Sequence, residues 1–265
     1  MIIKLLRYTV VIFILGLVVS CRALAATSEI NPVAQSFPVS AMSFQALMDA
    51  ADKAYADRWD VSQARAAMDL YEKAVQVAPQ SPEAYWKISR TAWWLGERAE
   101  PKEKAALFQK GIDRAQAAIN QDKNSAPAHF WLGVNYGDYG DSRGVLKSLF
   151  LIKPIREELE TVLKLDPNYE GGGAYRVLGI VDYKVPGFAG GSNKRALLNL
   201  KKALEISPNY PSNIYYLAEY YFTVGDKSKA KSELNRLEKL TVAKEELPEL
   251  LLMQESGRKL KEKIK

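Results

Sequence analysis

Two arginines lie on helical stripes that are rich in aromatic residues, a combination that can bind an acidic or amphipathic ligand. Each arginine belongs to a set of three residues at the spacing i, i+4 and i+7, and the other two residues of each set are aromatic or apolar. This spacing places the three side chains of a set on one face of a helix. A guanidinium can hold a carboxylate through two parallel hydrogen bonds, while aromatic side chains bury the apolar part of the ligand. The candidate ligand- or partner-binding residues are Trp86, Arg90, Trp93, Phe130, Arg176, Tyr183, Tyr215, Glu219 and Phe222.

The same stripes are compatible with two other arrangements. They could receive an amphipathic partner helix. They could also belong to the core, with loops closing the cavity and Arg176 paired to Glu219. A deep cavity that contains both Arg90 and Arg176 favours a small ligand, whereas an open and shallow face favours a scaffold that binds protein segments.

The sequence contains none of the motifs that common catalytic sites require. It lacks a phosphate-binding G-x-x-x-x-G-K-[ST] loop, a G-x-S-x-G elbow, an H-E-x-x-H pair and a C-x-x-C pair. A single cysteine and a single histidine leave almost no ligands for zinc, haem or an iron–sulfur cluster. We therefore expect a non-enzymatic protein with no catalytic residues, no metal site and no cofactor.

The elements that carry these stripes end at regular intervals along the chain. Three similar segments stop at Pro79, Pro167 and Pro208, and a fourth has Lys123 at the equivalent position. Proline has no backbone N–H to donate within a continuing helix, so it marks the end of each segment. The intervals between these four positions are 44, 44 and 41 residues. The pattern therefore predicts a series of helix pairs.

The residues within each segment resemble the tetratricopeptide repeat (TPR), a helix pair of about 34 residues. One first helix, for example, carries His129, Leu132, Gly133 and Tyr136 at the positions where the repeat has its large and small packing residues. We predict an all-α fold, an α-solenoid of about five degenerate TPR helix pairs. One stripe of each first helix would then face a shared concave surface.

Three repeats are longer than the standard motif. Roughly ten extra residues fall near 93–105 and again near 137–150, and about five fall near 184–191. Insertions in a solenoid usually form loops at one edge, so we expect loops at these three places.

The start of the chain resembles a secretory signal. Lys4 and Arg7 precede an apolar run that is too short for a comfortable membrane span. The segment Val18–Cys21 resembles a bacterial lipobox, which predicts cleavage before Cys21 and lipidation of its thiol. Cleavage at the Ala23–Ala25 segment and a retained signal anchor are the alternatives.

We predict a signal peptide at residues 1–25, a tether at residues 26–43 and a TPR-like helical repeat domain at residues 44–265. The chain has a net charge of +6, which falls to +4 when Lys4 and Arg7 are removed with the signal. Such a small excess in an exported chain does not favour nucleic acid as a partner.

Beyond a generic repeat, the segment 171–210 resembles the T-component of tripartite ATP-independent periplasmic (TRAP) transporters. The residues that carry the resemblance are Gly172, Gly173, Arg176, Leu178, Gly179, Pro186, Gly187, Gly190 and Gly191. It implies a periplasmic accessory lipoprotein that forms homotrimers, is held at the membrane by a lipid anchor, associates with the transporter's solute-binding subunit and binds a small organic acid. The alternative function is a TPR scaffold lipoprotein for protein–protein assembly in the cell envelope, without small-ligand binding.

Overall fold

The computed structural model of this chain describes residues 42–264. Within this range the ordered elements are helical, and none of the helices has the length and apolar character needed to cross a membrane. The predicted signal with Cys21, and nearly all of the predicted tether, lie outside the described residues. The helices are α1 (Phe44–Ala56), α2 (Val61–Val77), α3 (Pro82–Arg98), α4 (Pro101–Gln121), α5 (Ala126–Arg143), α6 (Val145–Leu165), α7 (Tyr169–Lys184), α8 (Asn193–Ile206), α9 (Pro211–Thr223), α10 (Lys227–Glu238) and α11 (Leu247–Ile264).

Consecutive helices pack as five pairs, which are α1 with α2, α3 with α4, α5 with α6, α7 with α8, and α9 with α10. Each pair also packs against the next, as in a solenoid. The predicted α-solenoid of about five TPR-like pairs is confirmed.

The expected helix ends occur where the sequence places them. The second helices of the first four pairs each end two residues before the predicted stop position. In each case a single C-cap residue separates the helix from Pro79, Lys123, Pro167 or Pro208. Because proline disfavours the helical conformation in the residue before it, three of these stops are set locally by the sequence.

Small residues in the first helices allow the paired helices to approach closely. A Cβ atom added at Gly179 of α7 would lie 2.7 Å from Leu200 Cγ of α8, well inside van der Waals contact. At Gly133 of α5 it would lie 3.3 Å from the side chain of Leu159 on α6. The glycine positions of the repeat pattern are therefore needed for packing.

Two of the three expected loops do not form, so that prediction is wrong at residues 93–105 and 137–150. The extra residues lengthen helices instead, and α4 and α6 each reach 21 residues. Only Gly144 separates α5 from α6, with a φ of 93° that glycine adopts without steric cost. The third insertion does form a loop, which contains the 3₁₀ turn Gly187–Ala189.

The last helix, α11, connects the two ends of the solenoid. Its residue Leu252 is half-buried and packs against the apolar cluster of α1–α3 as well as the cluster of α9–α11. The helix packs directly on α9 and α10. It therefore forms a wall over the inner face of the repeats, which the repeat pattern did not predict.

Candidate functional site

A groove follows the inner face of the solenoid, and α11 forms one of its walls. Its first part, which we call the apolar chamber, has a volume of about 1060 Å³, part of which is open to solvent. Helices α3, α5, α6, α7, α9 and α11 all contribute to its lining. Its aromatic and aliphatic lining residues include Trp93, Phe130, Trp131, Val134, Ile180 and Tyr216.

Next to it lies a second part, the charged chamber, with a volume of about 970 Å³, part of which is open to solvent. Its own lining residues include Asp52, Tyr55, Arg58, Arg90, Glu245 and Glu246. The residues that line both chambers are Trp93, Trp131, Glu170, Tyr210 and Glu249. Because these side chains are shared, the two chambers adjoin each other, and we refer to both together as the groove.

Helix α5 places its predicted stripe in the groove. Phe130, Val134 and Gly137 all line the apolar chamber. Their spacing corresponds to one face of a helix, so a single orientation of α5 is enough to bring all three together.

Helices α3 and α7 match the predicted stripes in part. Arg90 and Trp93 line the groove, and so does Arg176. Trp86, by contrast, packs beside the cluster around Phe130 rather than lining either chamber. Trp86 still lies next to the groove, since the Cζ atom of Arg90 is 5.2 Å from the centroid of its ring.

The predicted stripe of α9 is wrong by one residue. Ser212 and Tyr216 face the groove, while Tyr215 is buried and Phe222 packs against the cluster of α9–α11. A shift of one residue turns the face of a helix by about 100°, so a small error in register moves the whole stripe away from the groove.

Three of the predicted residues form a buried hydrogen-bonded cluster instead of lining the groove. The hydroxyl of Tyr183 donates to Glu219 Oε2, and the hydroxyl of Tyr215 donates to Glu219 Oε1 at 3.1 Å. Burial, followed by the charge of Glu219, raises the pKa of Tyr183 well above its usual value. This carboxylate is thus used to link α7 to α9, and the pairing of Arg176 with Glu219 does not occur.

Arg176 is instead held by a buried amide that the sequence did not single out. Its Nη1 atom donates to Asn213 Oδ1 at 2.8 Å and to the carbonyl of Glu170 at 3.0 Å. Asn213 Nδ2 in turn donates to the carbonyls of Gly171 and Ala203, each at 2.9 Å. The side chain of Asn213 therefore fixes both the arginine and the start of α7.

The start of α7 is a left-handed turn that directs Glu170 into the groove. Glu170, Gly171 and Gly172 have φ values of 51°, 63° and 80°. Two of these three residues are glycines, for which positive φ carries no Cβ penalty. Glu170 is the exception, and its carboxylate accepts a hydrogen bond from Tyr210 at 2.6 Å.

Asp138 lies deep in the apolar chamber and accepts a hydrogen bond from Trp93 Nε1 at 2.7 Å. Burial, and next the nearby Glu97 carboxyl, raise the pKa of Asp138 to about 8. Burial also raises the pKa of Glu97. The folded protein therefore retains a proton on Asp138 that the unfolded chain would release near pH 4.

Asp138→Asn is expected to stabilise the protein above pH 8. In the wild type, the free energy of unfolding should fall as pH rises from about 4 to about 8, because the folded state binds the extra proton in that range. The asparagine variant lacks this ionisation and should exceed the wild type by at least about 1 kcal/mol at pH 8.5, and differ little at pH 4. Urea denaturation at both pH values measures this.

Asp113→Asn, at an exposed position on α4, is the matched control and should leave the pH dependence unchanged. An Asp138→Asn variant that is destabilised equally at both pH values would contradict the assignment of the raised pKa to Asp138.

Known proteins with similar sequences point to one family. A family model described as Regulator of microtubule dynamics protein 1-3 matches residues 47–189. Regulator of microtubule dynamics protein 1 of Bos taurus is 24% identical over 180 residues, which cover 61% of this chain and 56% of that protein. Regulator of microtubule dynamics protein 3 of Rattus norvegicus is 24% identical over 172 residues, which cover 58% of this chain and 36% of that protein. The chain thus matches about half, or less, of the length of these curated relatives.

Solved structures support the fold alone. A TPR protein of Thermus thermophilus has a TM-score of 0.62 and 20% sequence identity, and the match covers 82% of this chain and all but 1% of that chain. At this level of identity the similarity shows a shared TPR-type architecture.

These matches contradict the resemblance to the TRAP transporter T-component, which is wrong. The family model extends to residue 189 and so includes seven of the nine residues on which the resemblance rested. The structure also explains two of those glycines by close contacts, since a Cβ atom at Gly173 would lie 2.6 Å from the Phe130 ring and one at Gly191 would lie 1.7 Å from the Val185 carbonyl oxygen. Contacts of this kind carry no information about transport.

The functions, partners and location that followed from this resemblance are corrected with it. A transport role, a solute-binding subunit as partner, an organic-acid ligand and homotrimers were inferred from the wrong family. The periplasmic location and the lipid anchor, which the transport accessory and the envelope scaffold had in common, are also contradicted, because the curated relatives come from cattle and rat. A TPR scaffold as such agrees better with these matches than a transport accessory does.

Proposed function

Because this chain belongs to the family of regulators of microtubule dynamics proteins 1-3, we propose that its helical-repeat domain changes microtubule dynamics by reversible binding, without catalysis. The observation that carries this proposal is the overlap between the family match and the groove. Residues 47–189 include most of α1, the turn after it and all of α2–α7, and this range supplies Arg58, Arg90, Trp93, Phe130 and Arg176.

The shape and lining of the groove support binding as the mode of action. Stacked helical repeats present extended concave surfaces that bind partners. Here that surface combines apolar and charged lining, as sites that bind amphipathic segments do. A partner segment would bury its apolar side chains against Trp93 and Trp131, at the junction of the two chambers.

The proposal is tested on dynamic microtubules grown from purified tubulin and observed by fluorescence microscopy. Addition of the full 265-residue chain at micromolar concentration is expected to change the growth rate or the catastrophe frequency at least about twofold. Gly137→Phe is expected to abolish the effect, because a Cβ atom at Gly137 meets no atom within 4 Å and the added ring would extend into the apolar chamber.

Gly187→Phe is the matched control, since it adds the same ring at an exposed position outside both chambers where a Cβ atom is equally unhindered. This variant should act like the wild type. A wild-type chain without any effect on microtubules would overturn the proposed function. An active Gly137→Phe variant would show that the groove is not the surface that acts.

A further inference from the structure

Two arginines of the charged chamber lack an acidic partner within residues 42–264. Arg58 Nη1 donates to the carbonyl of Tyr55 at 3.3 Å, and Arg90 Nη2 donates to the Tyr71 hydroxyl at 3.4 Å. The Nε atoms of both arginines are buried and have no hydrogen-bond partner among the described residues. Both guanidinium groups therefore have unused donors at the wall of a cavity.

The two guanidinium groups contact the same aromatic ring. Both lie over Tyr55, with Cζ atoms 4.6 Å from its centroid for Arg58 and 3.8 Å for Arg90, so the two Cζ atoms are at most about 8.4 Å apart. Like charges within this distance repel one another, and partial burial strengthens the repulsion. Two other half-buried arginines pair with carboxylates, Arg114 with Glu72 and Arg156 with Asp182, each at 2.7 Å. An anion between Arg58 and Arg90 would supply the missing counter-charge.

The inner carboxylates of the charged chamber already have donors of their own. Asp52 accepts from Lys87 Nζ at 2.8 Å and from the Tyr71 hydroxyl at 2.5 Å. Glu249 accepts from Ser212, as Glu170 does from Tyr210. None of these carboxylates forms an ion pair with Arg58 or Arg90 among the described residues, so a carboxylate that bonds directly to both guanidinium groups would come from a bound partner.

We propose that Arg58 and Arg90 bind the carboxylate of an acidic residue in a peptide segment that occupies the groove. Next to this carboxylate, an apolar side chain of the segment lies against Trp93 and Trp131 in the direction of the apolar chamber. On the other side, the exposed Glu245 and Glu246 meet a basic residue of the segment. The inference rests on the proposed function for the groove and specifies the chemistry of what it binds.

The test uses two fluorescein-labelled, carboxyl-amidated peptides, Lys-Phe-Glu-Phe-Lys and its glutamine analogue Lys-Phe-Gln-Phe-Lys. Binding to the full chain is measured by fluorescence anisotropy. The wild type is expected to bind the glutamate peptide at least about tenfold more tightly than the glutamine peptide, since a charge-assisted bond to arginine is lost in the latter. Arg58→Gln and Arg90→Gln should each remove most of this preference.

Arg143→Gln, which changes an exposed arginine at the end of α5, is the matched control and should keep the tenfold preference. Circular dichroism shows whether Arg90→Gln is folded. If that variant does not fold, Arg58→Gln provides the test, because Arg58 lies in the turn after α1 and not within a helix. Equal binding of both peptides by the wild type, or an unchanged preference in Arg58→Gln, would overturn the proposal. A third outcome is that the wild type binds both peptides equally but binds inorganic phosphate saturably, and that Arg58→Gln loses the phosphate binding. This result would show that the arginines bind a free anion, and it would also overturn the proposal.

The two proposals can fail separately. A preference for the glutamate peptide that depends on Arg58, in a chain without effect on microtubules, would uphold the carboxylate site and reject the proposed function. An effect on microtubules that persists in Arg58→Gln and Arg90→Gln, together with equal binding of both peptides, would uphold the proposed function and reject the carboxylate site.

Discussion

Replacement of Trp131 by alanine is expected to lower the free energy of unfolding by about 4 kcal/mol. The side chain is only 5% exposed and lies at the junction of the two chambers. Its ring centroid is 5.1 Å from that of Phe130 and 5.3 Å from that of Trp93. Its Nε1 atom also donates to the Tyr169 hydroxyl at 3.0 Å. The variant would lose these contacts and leave a large cavity that the surrounding helices cannot fully close.

Urea denaturation followed by circular dichroism measures this loss. Phe188→Ala is the control, because that ring is 89% exposed and its removal should change stability by no more than about 0.5 kcal/mol. A loss below about 1.5 kcal/mol in Trp131→Ala would mean that the groove collapses around the missing ring. In that case the apolar chamber would be less rigid than its packing indicates.

Asn213→Ala is expected to cost about 3 kcal/mol of unfolding free energy, a large effect for a polar residue. Asn213 is fully buried, and its amide donates to three backbone carbonyls while it accepts from Arg176. Alanine would leave those buried carbonyls and the guanidinium with fewer partners. The left-handed turn at residues 170–172 would lose its anchor, so Glu170 would no longer be held in the groove.

Thermal and urea denaturation report the change in stability. Limited proteolysis should show new cleavage near residues 170–172, where the turn is released. Asn120→Ala, at an exposed position on α4, is the matched control and should have little effect on either measurement. If Asn213→Ala matched that control, the amide would not be the residue that holds the start of α7.

Both residues illustrate how the candidate site depends on packing between repeats. The aromatic stripe of α5 was predictable, since Phe130, Val134 and Gly137 follow from helical spacing alone. Arg58 was not, because it lies in a turn whose position relative to Arg90 depends on how α1 packs against α3. Glu249 was missed for a similar reason, since nothing in the repeat pattern indicates that α11 crosses the inner face.

Local sequence by itself determined the all-α fold, the pairing of consecutive helices and the places where the second helices of the first four pairs end. Those features depend on interactions between residues close in the chain, such as a proline after a C-cap or a small residue four positions from a large one. Only the tertiary structure decided which face of α9 meets the groove, which side chains surround Arg176 and how α11 closes the solenoid. Each of these depends on small rotations and contacts between residues distant in the chain, and periodicity does not encode the angle at which one helix rests on another.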